Sequence, residues 1–216
     1  HGTLLYIHCA CIQPAYIHFV RKEDMPRSSA AYAARTAERI RDCALDLFTE
    51  RGYSAVALED VAHASQVTRG AVYHHFRNKH GLFRAVAKHL HETVASRVAA
   101  AAEASGPYPA LQLRSGSHAF LKAITEAAPA RILLIDAPAI MGWQEWRNLD
   151  AANSQELLGE ALAAAGIEQK RGQAMTALLS GAMNEAALWV VHQDSPAIAL
   201  ETALEGLDHL LTSLLH

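Results

Sequence analysis

From Thr36 onward, apolar residues recur at helical spacing. Ile40, Cys43, Ala44, Leu47 and Phe48 fall at i, i+3, i+4, i+7 and i+8, the stripe of an amphipathic helix. Arg39, Arg41, Asp42, Asp46 and Glu50 cover its other side. Gly52 follows the last turn, where a residue that tolerates positive φ is wanted. Leu58, Val61 and Ala62 mark a short second helix, which breaks at Ser65-Gln66-Val67. Thr68 precedes a third helix from Arg69 to Phe76, and Asn78 caps a fourth running through Leu82, Val86, Leu90, Val94 and Val98. Residues 105–109, Ser-Gly-Pro-Tyr-Pro, end that helix. Helical patterns then cover 111–126, 130–141, 143–165, 168–192 and 196–215, giving an all-α chain of about nine helices.

Composition agrees with this pattern. Of 216 residues, 51% are hydrophobic, 19% charged and 6% aromatic, an ordinary globular balance rich in the good helix formers Ala and Leu. No stretch of 18 apolar, uncharged residues occurs, so no membrane span is expected. Residues 25–100 carry 11 Lys and Arg against 7 Asp and Glu, whereas residues 101–216 carry 6 against 13. A basic first part joined to an acidic second part suits a chain whose first part alone meets a polyanion; chance scatter of surface charge is the alternative. Cys9, Cys11 and Cys43 make no disulfide framework, which places the chain in reducing cytosol. Cys9 and Cys11 lack a second ligand pair at zinc spacing. Residues 1–24 are apolar and β-prone, without helical period. They read as an extension upstream of a natural start at Met25; an arm that packs on the body or on a partner is the alternative.

Two short helices joined by a tight turn, the second basic and polar-faced, match the helix-turn-helix pattern. A helix fits the major groove of B-DNA, where its first exposed side chains reach base edges. A plain helical corner fits the same pattern. The residues themselves carry more. Thr36-Ala-Glu-Arg-Ile-Arg-Asp-Cys-Ala-Leu-Asp-Leu-Phe-Thr-Glu-Arg-Gly-Tyr resembles the first helix of the tetracycline-repressor (TetR) family of transcriptional regulators. Leu58-Glu-Asp-Val-Ala and Val67-Thr-Arg-Gly-Ala-Val-Tyr-His-His-Phe-Arg-Asn-Lys-His-Gly-Leu-Phe resemble its second, third and fourth helices. The chain departs from the family at Gln66, where the turn usually holds Gly, and at Ala57, where a Ser or Thr commonly caps the second helix.

The resemblance implies three regions: an extension over 1–33, a three-helix DNA-binding domain over 34–94, and a ligand-binding and dimerisation domain over 95–216. It implies a DNA-facing set of Thr36, Thr68, Arg69, Gly70, Ala71, Tyr73, His74 and Lys79. Thr68 caps the recognition helix, Arg69 reads guanine or clamps phosphate, and Gly70 and Ala71 let the backbone approach the bases. Tyr73 and Lys79 hold phosphates, and His74 lies over the groove. Leu200, Leu204, Leu207 and Leu211 form a heptad-like stripe. Facing it, Met175, Leu178, Leu179 and Ala182 line a face thinned by small residues. By resemblance these two helices form a four-helix bundle with a second copy; an intrachain seam is the alternative. His118, Phe120, Met141, Trp143, Trp146, Asn184 and Trp189 are the candidates for an apolar ligand pocket with a few polar handles.

An enzyme is not expected: the chain has no Gly-rich phosphate loop, no Gly-x-Ser-x-Gly and no His-Glu-x-x-His. The adjacent His74 and His75 diverge on a helix and make a poor chelate, so no metal or cofactor is expected. The implied function is a cytoplasmic homodimeric repressor on a palindromic double-stranded operator, released by a small hydrophobic or aromatic inducer. A helical adaptor that kept the fold and lost DNA binding is the alternative.

Overall fold

The computed structural model describes residues 25–151 and 155–215. The chain divides into two compact units at Thr36. The expectations for residues 1–24, with Cys9 and Cys11, lie outside the described residues. All described elements are helical, with no strand among them.

The first unit contributes the opening turns of α1 (Met25–Arg51). In the second unit, the remainder of α1 is followed by α2 (Leu58–Ala64), α3 (Arg69–Phe76) and α4 (Lys79–Ala104). Ile40, Ala44, Leu47 and Phe48 are buried, as the stripe predicts. Phe48 and Phe83 meet edge to face with ring centres 5.5 Å apart, and Tyr53 packs on Phe83 at 5.1 Å. Local chemistry sets the boundaries. Thr68 Oγ1 accepts from the Ala71 amide (3.2 Å) and Asn78 Oδ1 from the Gly81 amide (2.7 Å), so each opens its helix. Ala57 has no side-chain oxygen, yet Asp60 Oδ2 accepts from the Ala57 amide at 2.7 Å, half of a capping box supplied from inside the helix.

The acidic half consists of α5 (Pro109–Ile124), the short α6 (Ala127–Pro129) and α7 (Ala137–Met141), α8 (Trp143–Asp150), α9 (Glu156–Ala164), α10 (Gln169–Val191) and α11 (Pro196–Leu215). The pattern expected over 143–165 is thus two helices. A π-helical segment, Ala130–Asp136, joins α6 to α7. Its cause is Pro138, which has no amide to donate and whose ring crowds the carbonyl four residues back. The preceding turn widens to pairs five residues apart, and Ala137 donates to the Ile132 carbonyl. Pro138 is also five residues from Leu133, whose carbonyl instead accepts from Trp146 Nε1 at 2.8 Å.

One hydrophobic core runs from Ile40 to Leu211. Its second half centres on α10, which touches α5, α9, α11 and the π-helical segment. By length and composition Lys170–Val191 would suffice to cross a membrane, although Glu185 interrupts its uncharged run. In this fold the same apolar character serves packing, with Met183, Ala187 and Val190 buried.

Candidate nucleic-acid interface and ligand cavity

α3 is packed through Val72, which is fully buried, and Phe76, which is half-buried against the core. Thr68, Arg69, Gly70, Tyr73 and His74 are exposed and Ala71 is half-buried. A side chain at Gly70 would meet only Thr68 Oγ1, at 3.8 Å, so the first turn carries no bulk. The Arg69 guanidinium pairs with Glu59 on α2, donates to the Tyr73 hydroxyl at 3.2 Å and lies 5.3 Å from that ring's centre. It is therefore held along the outer face of α3. Lys79 projects from the first turn of α4, 4.2 Å from the centre of the Tyr53 ring, and Nζ donates to the Ser54 carbonyl at 3.4 Å. Partial burial holds its pKa below the usual lysine value. Thr36 belongs to the first unit, where its hydroxyl donates to the Tyr32 carbonyl.

Two non-glycine residues in positive-φ backbone flank α3: Gln66 (φ 53°) in the turn and Arg77 (φ 67°) at its end. The first is the conformation expected where the family has Gly. Beyond Arg77, α4 approaches α3 so closely that a side chain on Gly81 would strike the Phe76 carbonyl. At the far end of α1, Gly52 has φ 77°, and the Arg131 guanidinium occupies the space a Cβ would need. Arg131 comes from the π-helical segment, so the acidic half touches the end of α1 at this point.

The second feature is a cavity of about 110 Å³ among α4, α5, α9 and α10. Its walls include Val98, Leu113, Phe120 and Met183, with Gln112, Ser117 and Ser180 as polar members and no charged residue among the described residues. Of the seven pocket candidates from sequence, only Phe120 borders it. His118 bonds instead to Asp208 at 2.8 Å, ninety residues away. Trp146 is spent on the Leu133 carbonyl. Trp143 is 65% exposed and stacks beside it with ring centres 5.0 Å apart, and Met141 borders the same outer groove. Asn184 is buried near Asp150, whose carboxyl is pushed up by burial against the pull of Arg147, Gln155 and Asn184. Trp189 lies on the outer surface of α10 and α11. The aromatic candidates other than Phe120 thus lie apart from this cavity. The better signal was smallness: Ala95, Ala99 and Ala102 follow one another along α4, facing Gly116 on α5.

The expected association face also divides. Leu179, Leu207 and Leu211 are buried within their own chain, and Met175, Leu200 and Leu204 are half-buried against its core. That stripe is largely the seam between α10 and α11. Leu178 (66% exposed) and Ala182 face outward, joined by Trp189 and Leu210. A shallow groove runs through Ala182, Glu185, Trp189, Gly206 and Leu210.

Residues 40–86 match the family described as "Bacterial regulatory proteins, tetR family", and residues 110–214 match "Tetracyclin repressor-like, C-terminal domain". The HTH-type transcriptional regulator SrpR of Pseudomonas putida is 45% identical over 62 residues, 29% of each chain. AcrR of Shigella flexneri is 44% identical over 59 residues, 27% of each chain. The chain therefore matches less than a third of the length of these two relatives. A crystal structure of a TetR-family regulator from Pectobacterium atrosepticum superposes with a TM-score of 0.70 at 27% identity, covering 85% of this chain and 96% of that one. With both halves matched by the family and the helical order shared with its structures, the chain belongs to the tetracycline-repressor family of transcriptional regulators.

Proposed function

We propose that the protein is a homodimeric, cytoplasmic repressor that binds a palindromic DNA operator and releases it when a small apolar ligand enters the acidic half. The observation that carries this reading is the outward face of α3: a capped, unobstructed first turn with Arg69 above it, Tyr73 and His74 one turn on, and Lys79 beside it. On DNA, Arg69 exchanges Glu59 and Tyr73 for a base edge or a phosphate. Tyr73, freed of Arg69, donates to a backbone phosphate together with Lys79. Two copies set their α3 helices about one duplex turn apart, roughly 34 Å. The outward apolar residues Leu178, Ala182, Trp189 and Leu210 are the surface on which the second copy packs. α4 links the two ends of the molecule, since Lys79 and Ala99 lie 20 positions apart on one helix, roughly 30 Å along its axis. A ligand with higher affinity for a tilted α4 shifts the population away from operator spacing.

The test is fluorescence anisotropy with labelled DNA from upstream of the protein's own gene. Arg69→Ala is expected to weaken specific binding by about 1–3 kcal/mol and relax sequence preference. Lys79→Ala is expected to weaken all sequences alike and flatten the log–log salt slope by about one unit. Equal affinity for upstream and unrelated DNA would overturn the reading in favour of a helical ligand-binding protein. Sedimentation tests the assembly: Ala182→Glu or Leu210→Arg should give folded monomers at micromolar concentration, because an unpaired buried charge costs several kcal/mol. Glu201→Arg, on the polar side of α11, should leave the dimer intact.

A further inference from the structure

The cavity among α4, α5, α9 and α10 has three properties that together specify an occupant. The first is size. An apolar protein cavity of about 150 Å³ holds one benzene ring, and this one measures about 110 Å³. The second is charge. Among the described residues no Asp, Glu, Lys, Arg or His borders it, so a charged group placed there would lose its hydration with no described group to replace it. The third is one unmet hydrogen bond. Ser117, 4% exposed, borders the cavity, and its hydroxyl has no partner among the described residues. A buried hydroxyl is normally paired. Gln112, the polar residue at the edge, is already committed through Nε2 to the Gly106 carbonyl at 2.8 Å.

We infer that the cavity binds a neutral molecule no larger than a single hydroxylated ring, with an apolar body and a single hydroxyl that pairs with Ser117. The space exists because α4 offers alanines and α5 offers Gly116, whose Cβ would stand only 3.4 Å from Val98 Cγ1. A larger residue at 116 fills the space the ligand needs. Ser117 either donates to the ligand's oxygen or accepts from its hydroxyl, so phenolic and alcoholic compounds both qualify. This assignment rests on reading the acidic half as a ligand domain, but it concerns binding alone and holds or fails without DNA.

The experiment measures binding of phenol, toluene and benzoate to the full chain by calorimetry and thermal shift, with no DNA present. Phenol is expected to bind more tightly than toluene, by about tenfold for one added hydrogen bond in a dry site, and benzoate not to bind. Ser117→Ala should reduce phenol to the affinity of toluene while leaving the unliganded melting temperature the same or higher, since it removes an unpaired buried hydroxyl. Those opposite signs separate a ligand contact from a structural one. Gly116→Leu should abolish binding of both compounds. Benzoate binding as tight as phenol, or an undiminished preference for phenol in Ser117→Ala, would overturn the inference, as would the absence of phenol binding at millimolar concentration. Loss of operator binding in an otherwise phenol-binding protein would instead count against the repressor reading.

Discussion

Around α2 and α3, the one buried polar side chain is Ser65, and its hydroxyl donates to the Val61 carbonyl at 2.6 Å. Helices there are opened by caps, and the core closes on the interlocked rings of Phe48, Tyr53 and Phe83. The acidic half differs. Among the described residues, Ser117, Asp150, Gln155 and Asn184 of this half each keep one buried side-chain atom without a hydrogen-bond partner; the basic half has one such atom, on His91 of α4. The π-helical segment and the 110 Å³ cavity lie there too. On the proposed function, the surface that meets a rigid duplex gains from a fully paired, tightly packed support. The part proposed to yield to a ligand gains from unmet hydrogen bonds and incomplete packing, because both are relieved by the bound form.

Three experiments break or sharpen that contrast. The largest effect is expected at Gly81. Gly81→Ala pushes a methyl into the Phe76 backbone carbonyl, which cannot swing aside. It should cost about 3 kcal/mol or more in urea unfolding, whereas Gly206→Ala on α11, with nothing within 4 Å of its Cβ, should cost little. A small loss for Gly81→Ala would show the contact between α3 and α4 to be more compliant than its packing implies.

A loss of similar size is expected from acid, through His91. Burial lowers its pKa from 6.5 to about 4. The unfolded imidazole therefore takes its proton near pH 6.5, while the folded one stays neutral until about pH 4. Above pH 7 the group adds no pH dependence. As pH falls from 6.5 to 4 the folded state loses up to about 3 kcal/mol. His91→Leu should flatten the unfolding free energy across this window; an unchanged pH profile would locate the acid sensitivity elsewhere.

The smallest effect is expected at Gln66. Its φ of 53° is strained for a residue with a Cβ, and Gln66→Gly should stabilise by at most about 1 kcal/mol, net of the extra freedom Gly gives the unfolded chain. Thermal unfolding that moves downward would show that the Gln side chain itself braces the turn.

This residue also shows how far the sequence could be read. The pattern of α1 to α4, the caps at Thr68 and Asn78, and the positive φ at Gln66 are local properties, governed by a few neighbouring residues, and they were legible. The cavity was not, because burial of a large side chain does not say what it faces. His118 meets Asp208 and Trp146 meets Leu133 only through tertiary folding. The stripe on α11 carried a subtler ambiguity. Apolar heptads mark a packed face without saying which helix packs there, and Leu207 and Leu211 turn toward their own chain. The π-helical segment was legible in principle from Pro138, had the missing donor been followed to its orphaned carbonyl.

That carbonyl has an optical consequence. Trp146 Nε1 stands in for the absent Pro138 amide, so the state of the Leu133 carbonyl is written into the environment of one of only three indoles in the chain. Trp143 is largely exposed and Trp189 partly so, while Trp146 is buried. The blue edge of the intrinsic emission therefore belongs chiefly to Trp146. In Trp143→Phe/Trp189→Phe protein, a red shift on ligand addition would register the release of that carbonyl as it happens, without any label attached.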